Sequence, residues 1–280
     1  MRDTLRNLLE RGPLLMSSVR LLRDHIRART LRPKPTRLGF RFAGNLGMER
    51  GQFEPLEVAF LRQEFRDLEL FVDVGANIGY YTCLARSCGV PTVAIEPLAA
   101  NLEILFANLQ ANGWNDIEVF PVGVGAAPAL ATIFGGGTGA SLVRGWAGIS
   151  EAYRATIPIS TLDRLVLDRC RGKRVLFKMD VEGWELEALR GAERLLLEVA
   201  PATWLVEVML SEHVPGGFNP RFIDVFECFW SAGYSAFSID GTLIDPDAMR
   251  GHAARRSHDD SAHNFVFRRS DGPSSRAQIA

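Results

Sequence analysis

Between Glu54 and Phe267 the chain alternates two kinds of apolar pattern. Short β-branched runs read as buried strands, and longer stretches with apolar residues three and four apart read as helices. Glu54 to Arg66, carrying Leu56, Phe60, Leu61 and Phe65, predicts a helix before the run Leu70 to Val74, the first strand. Ile78 to Ala85 restarts with helical spacing, Thr92 to Ile95 is the second strand, and Leu98, Leu102, Leu105, Phe106 and Leu109 form a stripe behind Pro97 that ends at Asn112-Gly113. Ile117 to Val122 is the third strand, Val175 to Met179 the fourth and Thr203 to Met209 the fifth. Helical stretches run from Glu185 to Leu197 and from Phe222 to Trp230, and Ser235 to Ile239 with Asn264 to Arg268 suggest a closing antiparallel pair. The expected fold class is therefore α/β, a doubly wound, mostly parallel seven-stranded sheet. Gly125 to Arg174 breaks the alternation, with short strands at Ala131 to Phe134 and Ala155 to Ile159 around a Gly-rich loop. It is expected to be a β-containing insertion after the third strand, hanging over the site.

Chemistry concentrates where the first strand breaks. Asp73-Val74-Gly75-Ala76-Asn77-Ile78-Gly79-Tyr80-Tyr81-Thr82 is an acidic, glycine-spaced turn running into a helix. Glycines there admit a ligand close to the backbone, and the helix N-terminus offers free N–H groups to an anion. The three-glycine spacing of a dinucleotide site is absent, and Asp73 would repel a diphosphate, which argues against a nicotinamide-type oxidoreductase. A cationic ligand without phosphate suits the turn better. S-adenosylmethionine has that character, with a positive amino group and sulfonium. Glu96 ends the second strand about 20 residues on, where a carboxylate can accept ribose hydroxyls. Asp73, Gly75, Asn77, Gly79, Thr82, Glu96 and Asp180 are the candidate cofactor-binding residues. Asp180 and Glu182 end the fourth strand, and Glu207 lies in the fifth near His213. These four are the candidate catalytic residues, because methyl transfer to a hydroxyl is an in-line displacement that also needs a base. Asp180 and Glu182 also offer a place for a divalent cation, although no metal-ligand spacing is encoded.

Four segments together carry a resemblance. Asp73-Val74-Gly75-Ala76-Asn77-Ile78-Gly79, Ile95-Glu96-Pro97, Thr161-Leu162-Asp163 and Lys178-Met179-Asp180-Val181-Glu182-Gly183 closely resemble the FkbM family of S-adenosylmethionine-dependent methyltransferases, over roughly residues 54–267. The first is shared by many methyltransferases, and the last, downstream of Thr161-Leu162-Asp163, makes the likeness specific. Trp184 stands where the family more often carries a small residue. The resemblance implies a Rossmann-like class I methyltransferase fold and O-methylation of a sugar, glycan or small natural-product hydroxyl. A nitrogen acceptor, or a noncatalytic scaffold that keeps the cofactor fold, is the alternative. A scaffold would be expected to lose the site acids, yet Asp73, Glu96, Asp180 and Glu182 are all present.

Composition narrows the partners. A net charge of -1, with 17 Phe and 5 Trp scattered and not interleaved with basic residues, argues against nucleic acid as substrate. Basic residues do crowd the first 41 positions, among them Arg20, Arg23, Arg27 and Arg29, and Leu5, Leu8, Leu9 then Val19, Leu22, Ile26 recur at helical spacing. Residues 1–50 thus read as a basic extension with short helices that pack on the core or, less readily, touch an anionic membrane surface. Residues 51–269 form the methyltransferase domain, with the insertion at about 125–174, and residues 270–280 a disordered tail. Cys83, Cys88, Cys170 and Cys228 include no C-x-x-C pair and suggest reduced, buried thiols in a cytoplasmic protein. His252, His258 and His263 do not share one helical face and are not expected to bind metal. Glu185 and Glu187 read as solvated helix acids, Lys178 as either an ion-pair partner or a site residue, and Trp146 and Tyr153 as residues that stack on a sugar or anchor the loop. The pattern specifies no oligomeric state.

Overall fold

The protein is described here by a computed structural model covering residues 32–149, 151–255 and 263–269. In chain order the elements are β1 (Lys34–Pro35), β2 (Arg41–Phe42), α1 (Leu46–Arg50), α2 (Pro55–Glu64), β3 (Leu70–Val74), α3 (Tyr80–Ser87), β4 (Thr92–Ile95), α4 (Ala99–Ala111) and β5 (Glu118–Phe120). Next come β6 (Gly123–Val124), β7 (Ala129–Phe134), β8 (Arg154–Ser160), α5 (Leu162–Cys170), β9 (Val175–Met179), α6 (Glu185–Arg190) and α7 (Glu193–Glu198). The chain closes with β10 (Ala202–Glu207), α8 (Phe222–Ser231), β11 (Ser235–Ser238), α9 (Pro246–Arg255) and β12 (Asn264–Arg269).

Seven strands form the central sheet in the order β11-β12-β10-β9-β3-β4-β5. β5, β4, β3, β9 and β10 pair in parallel, while β12 runs antiparallel to both β10 and β11. The chain winds outward from β3 through β4 and β5, then returns to β9 and winds the other way. This is the doubly wound, Rossmann-like sheet of class I methyltransferases. In such a sheet a ligand belongs at the carboxyl ends of the strands beside that reversal, here the ends of β3 and β9.

β3 and β9 are buried at every position, as strands covered on both faces must be. Val72, Val74, Phe177 and Met179 point into one apolar cluster with α5 to α8, where Phe177 stacks on Trp204 at 3.9 Å and Phe229 on Phe267 at 3.9 Å. Phe71, Leu176, Leu205 and Val266 face the other cluster, under α2 and α3. Asp73 and Lys178 are cross-strand partners on that second face, and both are buried.

Several expected elements are redrawn. The insertion is a separate three-stranded sheet, β6-β8-β7, that ends at Ser160 and not near Arg174. Leu162–Cys170 is instead the crossover helix leading back to β9. Thr161 caps it, its hydroxyl accepting from the Arg164 N–H at 3.3 Å, and the Asp163 carboxylate accepts from the N–H groups of Arg194 and Leu195 at the start of α7. The Thr161-Leu162-Asp163 segment is thus a double cap. The helix expected from Glu185 to Leu197 divides at Gly191, where a Cβ would lie 2.1 Å from the Gly125 carbonyl oxygen. α9 was not anticipated, its apolar pattern being weak.

Within the basic extension, Phe40 and Phe42 are buried in the second cluster, and the N–H groups of Arg41 and Ala43 donate to the side chains of Asn112 and Asn108. The amphipathic pattern at residues 5–26 and the tail at 270–280 lie outside the described residues. No helix among the described residues is long and apolar enough to cross a membrane. All four cysteines are free, and Cys83 and Cys170 are buried as expected, whereas Cys88 is exposed.

Candidate active site

A cavity opens at the carboxyl ends of β3, β4 and β9, and Gly75, Asn77, Glu96, Asn101, Asp180, Glu182 and Trp184 contribute to its wall. Gly75 is needed there twice over. Its φ of 80° is in the left-handed region, and a Cβ would lie 1.9 Å from the Asp180 carbonyl oxygen. The tail of β9 can therefore pass the turn only over a glycine. Asn77 also sits at positive φ, 53°, and donates its N–H to Glu96 Oε2 at 2.9 Å. Glu96 Oε1 accepts from the Leu98 N–H at 2.9 Å and from Asn101 Nδ2 at 3.1 Å. Burial pushes this carboxyl up to about 7, against those three donors, which favour the charged form.

The candidate residues separate into groups. Gly75, Asn77, Glu96, Asp180 and Glu182 reach the cavity wall. Asp73 and Thr82 lie behind it, fully packed, with the Thr82 hydroxyl donating to Asp73 Oδ2 at 2.6 Å. Burial raises the Asp73 carboxyl to about 6. Gly79 opens α3 at φ 84°, close against Leu105. Glu207 ends β10 one strand beyond Asp180, and burial followed by the like charge of Asp180 holds its carboxyl well above the usual range. His213 has φ 62°, its ring lies 6.4 Å from that of Trp146, and its carbonyl accepts from the Ala147 N–H. It braces the insertion and forms no ion pair among the described residues.

The insertion closes over the cavity by hydrogen bonds from both sides. Asn77 Nδ2 donates to the Thr138 carbonyl at 3.1 Å and Asn101 Nδ2 to that of Gly137 at 3.3 Å. Opposite, the Ser141 hydroxyl donates to the Glu182 carbonyl at 2.6 Å, and Trp146 Nε1 to Glu182 Oε2 at 2.6 Å. Glu182 is itself at φ 54°, and a Cβ on the neighbouring Gly183 would lie 2.4 Å from the Trp146 ring. Trp146 is therefore a buried anchor and not a platform for a sugar, and the Glu182 carboxylate is engaged. Burial, then Asp180, raises the Glu182 carboxyl, which the Trp146 bond partly offsets.

A second polar group flanks Asp180 under α2 and α3. Lys178 Nζ donates to Asp180 Oδ2 at 2.7 Å and lies 5.0 Å from the Tyr81 ring centroid, whose hydroxyl bonds Glu54 Oε2. Lys178 is an ion-pair partner at the site, which joins the two readings of it. Glu185, expected in solvent, is buried at 3% exposure, accepts from the Gly183 N–H at 2.9 Å, and is pushed up to about 8 by burial. Glu187 pairs with Arg190 and Arg221. Among the described residues no group of three or more His, Cys, Asp or Glu side chains is arranged to hold a metal ion.

Sequence reasoning missed Asn101, Ser141, Glu54 and Tyr81. Asn101 had a signal, lying five residues beyond Glu96 in the first turn of its helix. Glu54, at φ 43° just before α2, had none.

The cavity buries two polar atoms without partners, Asn77 Oδ1 and Trp184 Nε1, which are an acceptor and a donor left for a ligand. Comparison with known proteins gives low-identity likenesses of fold. The chain is similar to a precorrin-6y C5,15-methyltransferase from Geobacter metallireducens, 12% identical over 82% of this chain and 94% of that one, with a TM-score of 0.41. It is also similar to an O-methyltransferase from Bacillus cereus in complex with SAH, 12% identical over 79% and 83%, with a TM-score of 0.42. A third likeness is to a ribosomal protein L11 methylase from Lactobacillus delbrueckii, 10% identical over 81% of each chain, with a TM-score of 0.42. No curated protein matches this sequence. The family described as the methyltransferase FkbM domain matches residues 73–236, which run from the acid opening the glycine turn to β11 and include every wall residue named above. The chain belongs to that methyltransferase family.

Proposed function

We propose that this protein is an S-adenosylmethionine-dependent methyltransferase that acts on a hydroxyl group of a sugar, glycan or other small molecule. The observation that carries the reading is the convergence of Gly75, Asn77, Glu96 and Asp180 on one cavity where the order of strands reverses. The donor set fits this cofactor. Glu96 has acceptor capacity beyond its three protein partners for ribose hydroxyls, Asn77 Oδ1 and Trp184 Nε1 are unpaired, Gly75 admits a close approach, and Asp180 places negative charge on the wall. S-adenosylmethionine supplies an electrophilic methyl group on a sulfonium.

The remaining work falls to the protein. The insertion, tied down at Asn77, Asn101 and Glu182, keeps water from the cavity. Of the acids, Glu207 is the candidate base that holds no side-chain donor among the described residues, Asp73, Asp180 and Glu182 each holding one. It stands one strand from Asp180, behind the cavity wall, and accepts a proton only once ionised. His213 is second, being held against the insertion by Trp146.

Calorimetric titration with S-adenosylmethionine and S-adenosylhomocysteine, with NAD as control and Glu96→Ala in parallel, tests the cofactor. Micromolar binding lost in Glu96→Ala supports the reading, and silence for both sulfur ligands sinks it and favours a noncatalytic scaffold. A screen of glycan, alcohol and amine acceptors with and without Mg²⁺ then separates oxygen from nitrogen transfer.

A further inference from the structure

Lys178 is the one ammonium buried in the site, and no step above uses it. It sits in an otherwise apolar strand at 3% exposure, on the face of the sheet that α2 and α3 cover. An isolated ammonium in such a place is expelled or loses its proton. Here its surroundings oppose that outcome.

The groups around it come from every neighbouring element. From β3, Asp73 is its cross-strand partner. Beyond its own strand, Asp180 accepts a hydrogen bond from its ammonium at 2.7 Å, and Glu182 follows two residues later. From β10, Glu207 stands one pleat beyond Leu205, the Lys178 partner in the parallel register. At the start of α2, Glu54 bonds the Tyr81 hydroxyl, and Glu57 accepts from Asn264 Nδ2 at 3.0 Å. From α3, the Tyr81 ring lies beneath the ammonium. Glu185, in the first turn of α6, faces the same loop through Gly183. His213 lies apart, against Trp146.

One fixed cation therefore faces at least four carboxylates, of which Asp180 also forms the cavity wall. Asp180 has little else to orient it, its N–H being spent on the Val74 carbonyl. We propose that Lys178 is a positioning residue of the methyl-transfer site: its buried ammonium fixes the Asp180 carboxylate at the cavity wall and balances Glu54 and Glu207 beside it, so that the site distinguishes a sulfonium from a neutral thioether. This rests on the reading of the cavity as an S-adenosylmethionine site. Burial alone would lower the proton affinity of Lys178, but Asp180, Glu207, Glu54 and Asp73 together raise it. Loss of that charge should make Glu54, Asp73 and Glu207 harder to ionise, because Lys178 favours the charged form of each.

The test needs only the two sulfur ligands, one cationic and one neutral. Affinities of the full-length protein for S-adenosylmethionine and S-adenosylhomocysteine are measured by calorimetry from pH 6 to 9.5, and the ratio is plotted against pH. In the wild type the ratio rises with pH as the cluster ionises. In Lys178→Met the midpoint of that rise should move up by about one pH unit, so that at a pH on the slope the preference for the sulfonium falls by up to about tenfold. Glu207→Gln removes an acid from the cluster and should move the midpoint down, and it decides the matter if Lys178→Met does not fold. Equal loss of affinity for both ligands in Lys178→Met with the midpoint unmoved, an unmoved midpoint in Glu207→Gln, or a pH-independent ratio in the wild type would each overturn the proposal. If the wild type binds neither ligand, the cofactor reading fails instead.

Discussion

The two faces of β9 solve burial in opposite ways. Val175, Phe177 and Met179 enter a cluster of stacked rings built by Phe177 and Trp204, then Phe229 and Phe267, in which transfer from water and close packing do all the stabilising. Lys178, two bonds of pleat away on the other face, is surrounded by Asp73, Asp180, Glu54 and Glu207, whose burial costs free energy that ion pairing only partly returns. One face of a single strand is wholly apolar, and the other, apolar at Leu176, also holds charge at Lys178 where a cationic ligand would meet it. A site assembled from destabilising groups is bearable because the opposite face is so thoroughly apolar.

The comparison breaks most sharply at Trp204. Trp204→Ala removes a fully buried ring stacked on Phe177 and edge-on to Phe229, and should cost about 3–5 kcal/mol of stability by chemical denaturation. Ligand affinity in the fraction that remains folded should be little changed. Gly75→Ala tests the site end. The added Cβ meets the Asp180 carbonyl oxygen at a backbone angle that side chains rarely adopt, so affinity for S-adenosylhomocysteine should fall by about 100-fold, equivalent to about 2.7 kcal/mol. Near-wild-type binding in Gly75→Ala would mean that the turn and the β9 tail do not form the ligand wall.

Legibility in the sequence followed the same division. β9 was read to the residue, because a five-residue, mostly apolar run bounded by charges is too short for a buried helix and suits a buried strand, and β3 and β4 were equally plain. The seven strands and the doubly wound sheet followed from the alternation of strands and helices. Weak pattern hid α9, and a helical period that runs through Gly191 hid the break between α6 and α7, which tertiary contact with Gly125 imposes. At the cavity, Gly75 and Glu96 were legible as wall residues because both close a strand end that the local pattern marks, whereas Asp73 lies behind the wall. Glu54 and Tyr81 were not, since nothing local says that the segment before α2 folds back onto Lys178. Glu185 misled for the same reason. An acid in the first turn of a helix normally faces water, and only the packing of α6 buries this one.

Proton linkage probes the buried carboxylates without mutation. Burial raises Glu96 to about 7 and Glu185 to about 8, so the folded state keeps protons that the unfolded chain has released above about pH 4.5. The folded state then binds more protons than the unfolded state, and stability falls as pH rises from about 4.5 through 8. Each group should contribute on the order of 3–5 kcal/mol across its window. Thermal unfolding of the ligand-free protein should show a higher Tm near pH 5 than near pH 8.5, and the isosteric Glu185→Gln should flatten that slope. A Tm that climbs steadily from pH 5 to 8.5 would mean these carboxylates are charged in the folded protein.

The smallest expected effect sits where the insertion meets the charged face. Trp146→Phe keeps most of the ring against Gly183 and deletes only the Nε1 donor to Glu182, so the loss of stability should be about 1–2 kcal/mol. Glu182 is held at positive φ, and its carbonyl still accepts from Ser141, so the backbone anchor survives the change. The freed carboxylate then loses its donor beside Asp180, and its proton affinity should rise further, because the Trp146 bond helps to lower it. Hydrogen exchange should therefore report faster opening at residues 135–149, with protection in β9 and β10 unchanged. Equal loss of protection in both places would make Trp146 part of the common core, and the insertion would no longer be a separable cover over the charged face.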